Sequence, residues 1–156
     1  MLDQDRSNSV RIAWAESDAE ISACLPVLRE HWPSIGSQGD FVACVRRLEE
    51  RGYRLMAAWS GHRVVACAGY QLEENLVRGR YLHINELVTT RSVRSKGLGQ
   101  HLLNKLFEEA RKFDCDALML ECGLPNSRAH RFYFREGLRI TAFRFAVSFG
   151  SVRSSE

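Results

Sequence analysis

Apolar residues recur every three or four positions from Leu98 to Phe113, where Leu98, Leu102, Leu103, Leu106, Phe107, Ala110 and Phe113 fall on one face of a helix. A strand is predicted on each side of it. Residues 80–90 form a long one, with Leu82, Ile84, Glu86 and Val88 on one face by simple alternation and His83 and Asn85 on the other. Residues 116–122 hold the nearly continuous run Ala-Leu-Met-Leu, suited to the middle of a sheet. Strand, helix and strand in this order imply a right-handed crossover with the two strands parallel.

Upstream, residues 10–14 read as a first strand, and Ser17-Asp18 opens a helix to about Glu30 with Ser17 as its N-cap. Residues 34–39 break the pattern before a second helix over 40–51, which ends at Gly52. Residues 53–59 and 63–71 predict a hairpin around Ser60-Gly61-His62, and 73–79 a polar turn. Downstream, a helix over 126–136 stops at Gly137. Phe143, Phe145, Val147 and Phe149 then alternate with Arg144, Ala146 and Ser148, the pattern of a half-buried strand. The expectation is an α/β (α+β) domain: a mixed sheet of six or seven strands with about four helices on its two faces.

A chain of 156 residues can close one core without staples, and no repeat or linker divides it, so residues 1–156 are read as a single domain with 1–9 and 151–156 as loose tails. No apolar run approaches the roughly 20 residues of a membrane helix, and residues 1–9 lack a signal-peptide core. The five cysteines (Cys24, Cys44, Cys67, Cys115, Cys122) are odd in number and form no Cys-x-x-Cys pair, which argues against a disulfide framework or a zinc site. A soluble protein of the reducing cytoplasm, holding no metal, follows as the expectation. The formal charge of +3 favours an anionic ligand without requiring nucleic acid.

The stretch Arg94-Ser95-Lys96-Gly97-Leu98-Gly99 lies between a strand and a helix start, where unpaired N–H groups and the helix dipole favour an anion. Two glycines let the backbone approach a phosphate, and Arg94 and Lys96 supply countercharge. A Walker A loop and a dinucleotide fingerprint both fail on spacing, since Leu102 stands where the latter needs its third glycine.

Arg94, Gly97 and Gly99 match the Gln/Arg-x-x-Gly-x-Gly/Ala signature at such a junction, and Asn126-x-x-Ala129-x-x-Phe132-Tyr133-x-x-x-Gly137 supplies a second block. Together they resemble the GNAT superfamily of acetyl-CoA-dependent N-acetyltransferases, over residues 81–137 in particular. The resemblance implies an acyltransferase that moves an acetyl group from acetyl-CoA to a primary amine by direct attack in a ternary complex. It also implies two splayed parallel strands with the cofactor in the gap. Backbone groups of Leu87, Val88 and Thr89 would pair with the pantetheine arm, residues 94–99 would hold the pyrophosphate, and Asn126 would meet the cofactor near its sulfur. Family members often dimerise, which makes a homodimer the expectation here, with 143–149 offering an edge.

Transfer from a thioester to an amine needs a neutral amine, a polarised carbonyl and a proton for the leaving thiolate. Tyr133 is the candidate acid, by carry-over from the family's Phe-Tyr pair; a packed core aromatic is the alternative. Glu86 is the candidate base, because mid-strand burial raises a carboxyl pKa. A structural or substrate-binding role for Glu86 stays open, as does His83 as base. A bulge in this strand would change which side chains share a face, and Asn85 stands where many relatives carry an acid. Cys122 reads as a buried structural thiol. Arg128, His130, Arg131 and Arg135 read as a solvated helix face and not as a nucleic-acid site. A CoA sensor or interaction module on the same scaffold is the alternative function, and the acceptor amine has no motif to identify it.

Overall fold

The structure, a computed structural model, describes residues 9–94 and 97–150. Its elements run β1 (Val10–Trp14), α1 (Asp18–Arg29), α2 (Gln38–Glu49), β2 (Tyr53–Ser60), β3 (Arg63–Asn75), β4 (Gly79–Thr89), α3 (Leu98–Lys112), β5 (Ala117–Leu120) and α4 (Ser127–Arg135), with one 3-10 turn at Arg91–Val93. Two compact units divide the chain, Met1–Met119 and Leu120–Glu156.

In the first unit both early helices open on a reciprocal cap. Ser17 accepts from the Glu20 N–H while the Glu20 carboxylate accepts from the Ser17 N–H, and Ser37 and Asp40 repeat the arrangement. Each cap satisfies two N–H groups that a helix start leaves unpaired. Because Ser37 is the cap, α2 begins at Gln38, ahead of the expected Asp40.

The strands follow the order β1-β2-β3-β4-β5, and the first four pair antiparallel. Against one face lie α1 and α2, closing a core of Ile21, Cys24, Leu28, Phe41, Leu55 and Cys67, among others. Against the other lies α3, whose Leu102, Leu103 and Leu106 are fully buried. Tyr70 ties that side together: its hydroxyl donates to Glu109 on α3 and accepts from the Trp14 indole on β1, both at 3.1 Å.

The six or seven strands expected become five among the described residues. The missing strand is the predicted one at 143–149. In the second unit, α4 is capped by Asn126 and ends at Gly137, and residues 138–149 adopt no regular structure. Phe143, Phe145, Val147 and Phe149 are 83, 93, 75 and 92 % exposed. Alternation says which side chains would share a face, whereas a strand also needs partners for its N–H and C=O groups. Residues 139–149 have no backbone partner among those described. The β3–β4 hairpin errs the other way. Glu73, Glu74 and Asn75 were expected in a turn, yet they pair with Tyr81, Arg80 and Gly79. Asn75 then closes a tighter turn, its Oδ1 accepting from the N–H groups of Val77 and Arg78.

Candidate active site

A bulge in β4 decides which side chains can act together. Gly69 of β3 stands opposite Glu86 and Tyr70 opposite Ile84, so Asn85 is an extra residue without a partner across the ladder. One added residue reverses the alternation beyond it. Leu82 and Ile84 therefore share the face of Tyr70, toward α3, while Glu86 and Val88 join His83 on the face covered by α1 and α2. Simple alternation placed His83 and Glu86 on opposite faces, and the bulge corrects that. Asn85 itself is exposed, its amide donating to Gln71 Oε1 at 3.3 Å.

Glu86 sits in a prepared space. The Tyr53 hydroxyl on β2 donates to Glu86 Oε2 at 2.8 Å across the position of Gly69. A Cβ at residue 69 would overlap both the Tyr53 hydroxyl and Glu86 Oε2, so only glycine leaves room for the contact. Burial pushes the Glu86 carboxyl above the ordinary carboxylate range, against the lowering effects of the Tyr53 hydrogen bond and of charge on His83. Tyr53 is itself buried, and its phenol is pushed well up by burial first and by the Glu86 charge second. His83 holds its Nδ1 3.5 Å from Glu73 Oε1, and Glu73 Oε2 accepts from the Tyr81 hydroxyl at 2.6 Å.

The end of β4 leads into the glycine-bearing junction. Thr90 and the Arg91 N–H both donate to the Glu30 carboxylate at the end of α1, which holds the Glu30 pKa down and pins the start of this loop. A ring nitrogen of His31 lies 3.2 Å from the Thr89 carbonyl oxygen and 3.4 Å from the Arg94 guanidinium. Ser95 and Lys96 lie outside the described residues. Gly97 opens α3 in the left-handed conformation, φ 77°, and brings no side-chain cap. Ser17 and Ser37 supply a capping oxygen to α1 and α2, whereas Gly97 has none to supply to α3. The Leu98 side chain is buried, which leaves its backbone as the part able to meet a ligand. A helix start attracts anions in general, and Arg94 places a positive charge close by in the sequence.

In the second unit, Tyr133 stands on α4 edge-to-face with Phe132, ring centroids 5.2 Å apart. Burial pushes its phenol up to about 12, with a smaller contribution from Cys122. Its hydroxyl has no hydrogen-bond partner among the described residues. Asn126 spends its side-chain oxygen as the helix cap, accepting from the Ala129 N–H at 3.1 Å. Burial raises the Cys122 thiol, the opposite of what a nucleophilic thiolate requires. Of the basic cluster, Arg128, Arg131 and Arg135 are exposed, Arg135 lies over the Phe132 ring, and His130 contacts the Gly123 carbonyl at 3.0 Å. Sequence reasoning missed Tyr53, Gly69, Glu30 and His31. Each acts through a partner far along the chain, and no local pattern marks such a pair.

A four-stranded meander whose last, bulged strand feeds a glycine-opened helix and a further strand is an acetyltransferase architecture, and residues 11–137 match the model of the acetyltransferase (GNAT) family. The chain belongs to that family. It is 31 % identical over 137 residues to an uncharacterised N-acetyltransferase of Bacillus subtilis, YhdJ, covering 85 % of this chain and 89 % of the relative. It is 33 % identical over 94 residues to the aminoalkylphosphonate N-acetyltransferase of Salmonella typhimurium, covering 60 % of each. The crystal structure of a Trypanosoma brucei acetyltransferase superposes with a TM-score of 0.77 at 20 % identity, over 90 % of this chain and 100 % of that one, which shows a shared fold.

Proposed function

We propose that the chain is an N-acetyltransferase moving an acetyl group from acetyl-CoA to a primary amine by direct attack in a ternary complex. The observation that carries this reading is that β4 bears a buried-side carboxyl, Glu86, and is followed by a 3-10 turn at Arg91–Val93 and by the glycine-opened start of α3. One strand thereby supplies a proton acceptor and leads to an anion cradle. Acetyl-CoA supplies an activated acetyl thioester. Backbone groups of Leu87, Val88 and Thr89 hold the pantetheine arm, and Arg94, Ser95, Lys96, Gly97, Leu98 and Gly99 hold the pyrophosphate. Asn126 stands near the sulfur.

Glu86, directly or through water, takes a proton from the substrate ammonium, and the neutral amine then attacks the thioester carbonyl to form the new C–N bond. The C–S bond breaks, Tyr133 gives its proton to the departing thiolate, and the extra proton left on the new amide nitrogen returns to the Tyr133 phenolate, directly or through water. No acyl-enzyme is required where both substrates are held together. The family match, which runs through both units, supports a single catalytic domain. Five free cysteines suit the reducing cytoplasm.

Thioester consumption with a panel of amines tests the reading, beginning with aminoalkylphosphonates, the substrates named by the Salmonella relative. CoA binding without turnover of any amine would favour a sensor. Calorimetry should show one CoA site per chain. A charge-assisted contact contributes about 1.5–3 kcal/mol, so Arg94→Ala should weaken CoA binding by about 10- to 150-fold. Unaltered binding would remove Arg94 from the cradle.

A homodimer is also proposed. The exposed apolar row Phe143, Phe145, Val147 and Phe149, extended in pattern and lacking backbone partners among the described residues, favours pairing with a second copy. Light scattering at tens of micromolar should return the dimer mass; a monomer mass would reject it.

A further inference from the structure

We propose that Tyr53 is a positioning residue for the base: its hydroxyl holds one oxygen of Glu86 in place through the gap left by Gly69, aiming the other oxygen at the amine. The inference rests on the reading of Glu86 as the base, and it assigns a role to two residues remote from β4 in sequence.

Three observations converge on it. The bond is short, 2.8 Å, and its donor is a buried side chain on β2, reaching Glu86 of β4 across the intervening β3. Gly69, between them, is the residue at which any side chain would collide with both partners. The bulge at Asn85 falls next to Glu86, and without it Glu86 would face α3 and lie out of reach of Tyr53. Strand, bulge, glycine and phenol therefore all serve one carboxyl. A tyrosine needed only to fill the core would have no use for a carboxylate as its partner, since burying that charge costs free energy.

The groups facing Glu86 are few. Tyr53 comes from β2, Cys67 from β3, His83 from β4, and behind Cys67 stands Cys24 of α1. Charge on His83 lowers the Glu86 pKa, but it is present with or without the phenol and cancels in a comparison of the two. A hydrogen bond donated to a carboxylate favours its charged form. Removing the donor therefore moves the Glu86 titration upward, in the direction burial already pushes it.

The test uses the full chain with ¹³C-labelled glutamate, the Glu86 signal being assigned by its loss in Glu86→Gln. In Tyr53→Phe, which keeps the ring, the Glu86 midpoint should rise by about one pH unit. The acid limb of kcat/KM, measured with an amine from the panel above, should rise by the same amount, with CoA affinity unchanged. Gly69→Ala should produce the same upward shift from the opposite side of the contact. A Glu86 midpoint unmoved in Tyr53→Phe overturns the proposal, whatever the activity. A midpoint that moves while the acid limb stays, in a protein whose Glu86→Gln variant also keeps that limb, shows instead that Glu86 is not the base, and both readings fall together.

Discussion

Tyr133→Phe is expected to lower kcat by about 10²- to 10⁴-fold while leaving acetyl-CoA affinity nearly unchanged. The substitution keeps the ring and its edge-to-face contact with Phe132, so packing on α4 survives. What it removes is a hydroxyl with no hydrogen-bond partner among the described residues and a pKa pushed up to about 12, chiefly by burial. Such a phenol keeps its proton at neutral pH, and in the proposed reaction it is the group that donates as negative charge develops on the thioester sulfur. A structural tyrosine would lose little by becoming phenylalanine. The deficit should be read in kcat under conditions where chemistry limits, and it should lie toward the lower end where water reaches the sulfur. Turnover at the wild-type rate would make Tyr133 a packing residue.

The sequence made legible what depends on neighbours along the chain. The cap at Ser17, the leucine repeat of α3 and the glycine that opens that helix each express a local rule, and each appears where the pattern put it. Glu86 stands out in the sequence as a candidate because a carboxyl close to Leu82, Ile84 and Val88 is anomalous in itself. Its surroundings were not legible. The bulge at Asn85 depends on how β3 aligns with β4, and the Tyr53–Glu86 bond joins residues separated by 33 positions. The tail shows the limit from the other side. Phe143 to Phe149 carries a strand's alternation, yet pairing depends on a partner that the pattern does not specify.

Glu86→Gln should lower kcat/KM at neutral pH by about 10²- to 10⁴-fold and erase the acid limb of its pH profile. Glutamine is isosteric, and its amide oxygen can still accept from the Tyr53 hydroxyl, so the local packing is kept. The sign follows from the carboxyl's chemistry. Glu86 accepts a proton only when ionised, and burial places its pKa above the ordinary carboxylate value. Wild-type activity therefore falls as pH drops through that raised pKa and levels off above it. The variant has no such limb. It must wait for the amine to lose its proton to solvent, and an alkyl amine near the lysine value of about 10.4 is neutral in only a small fraction at pH 7. Its rate should climb about tenfold per pH unit toward that value, and the deficit should shrink accordingly. A carboxyl that only held the acceptor in place would give a deficit that does not shrink as pH rises. Comparing the two proteins at neutral pH and near pH 10 separates these roles, and a variant matching wild type at neutral pH would leave β4 without its base.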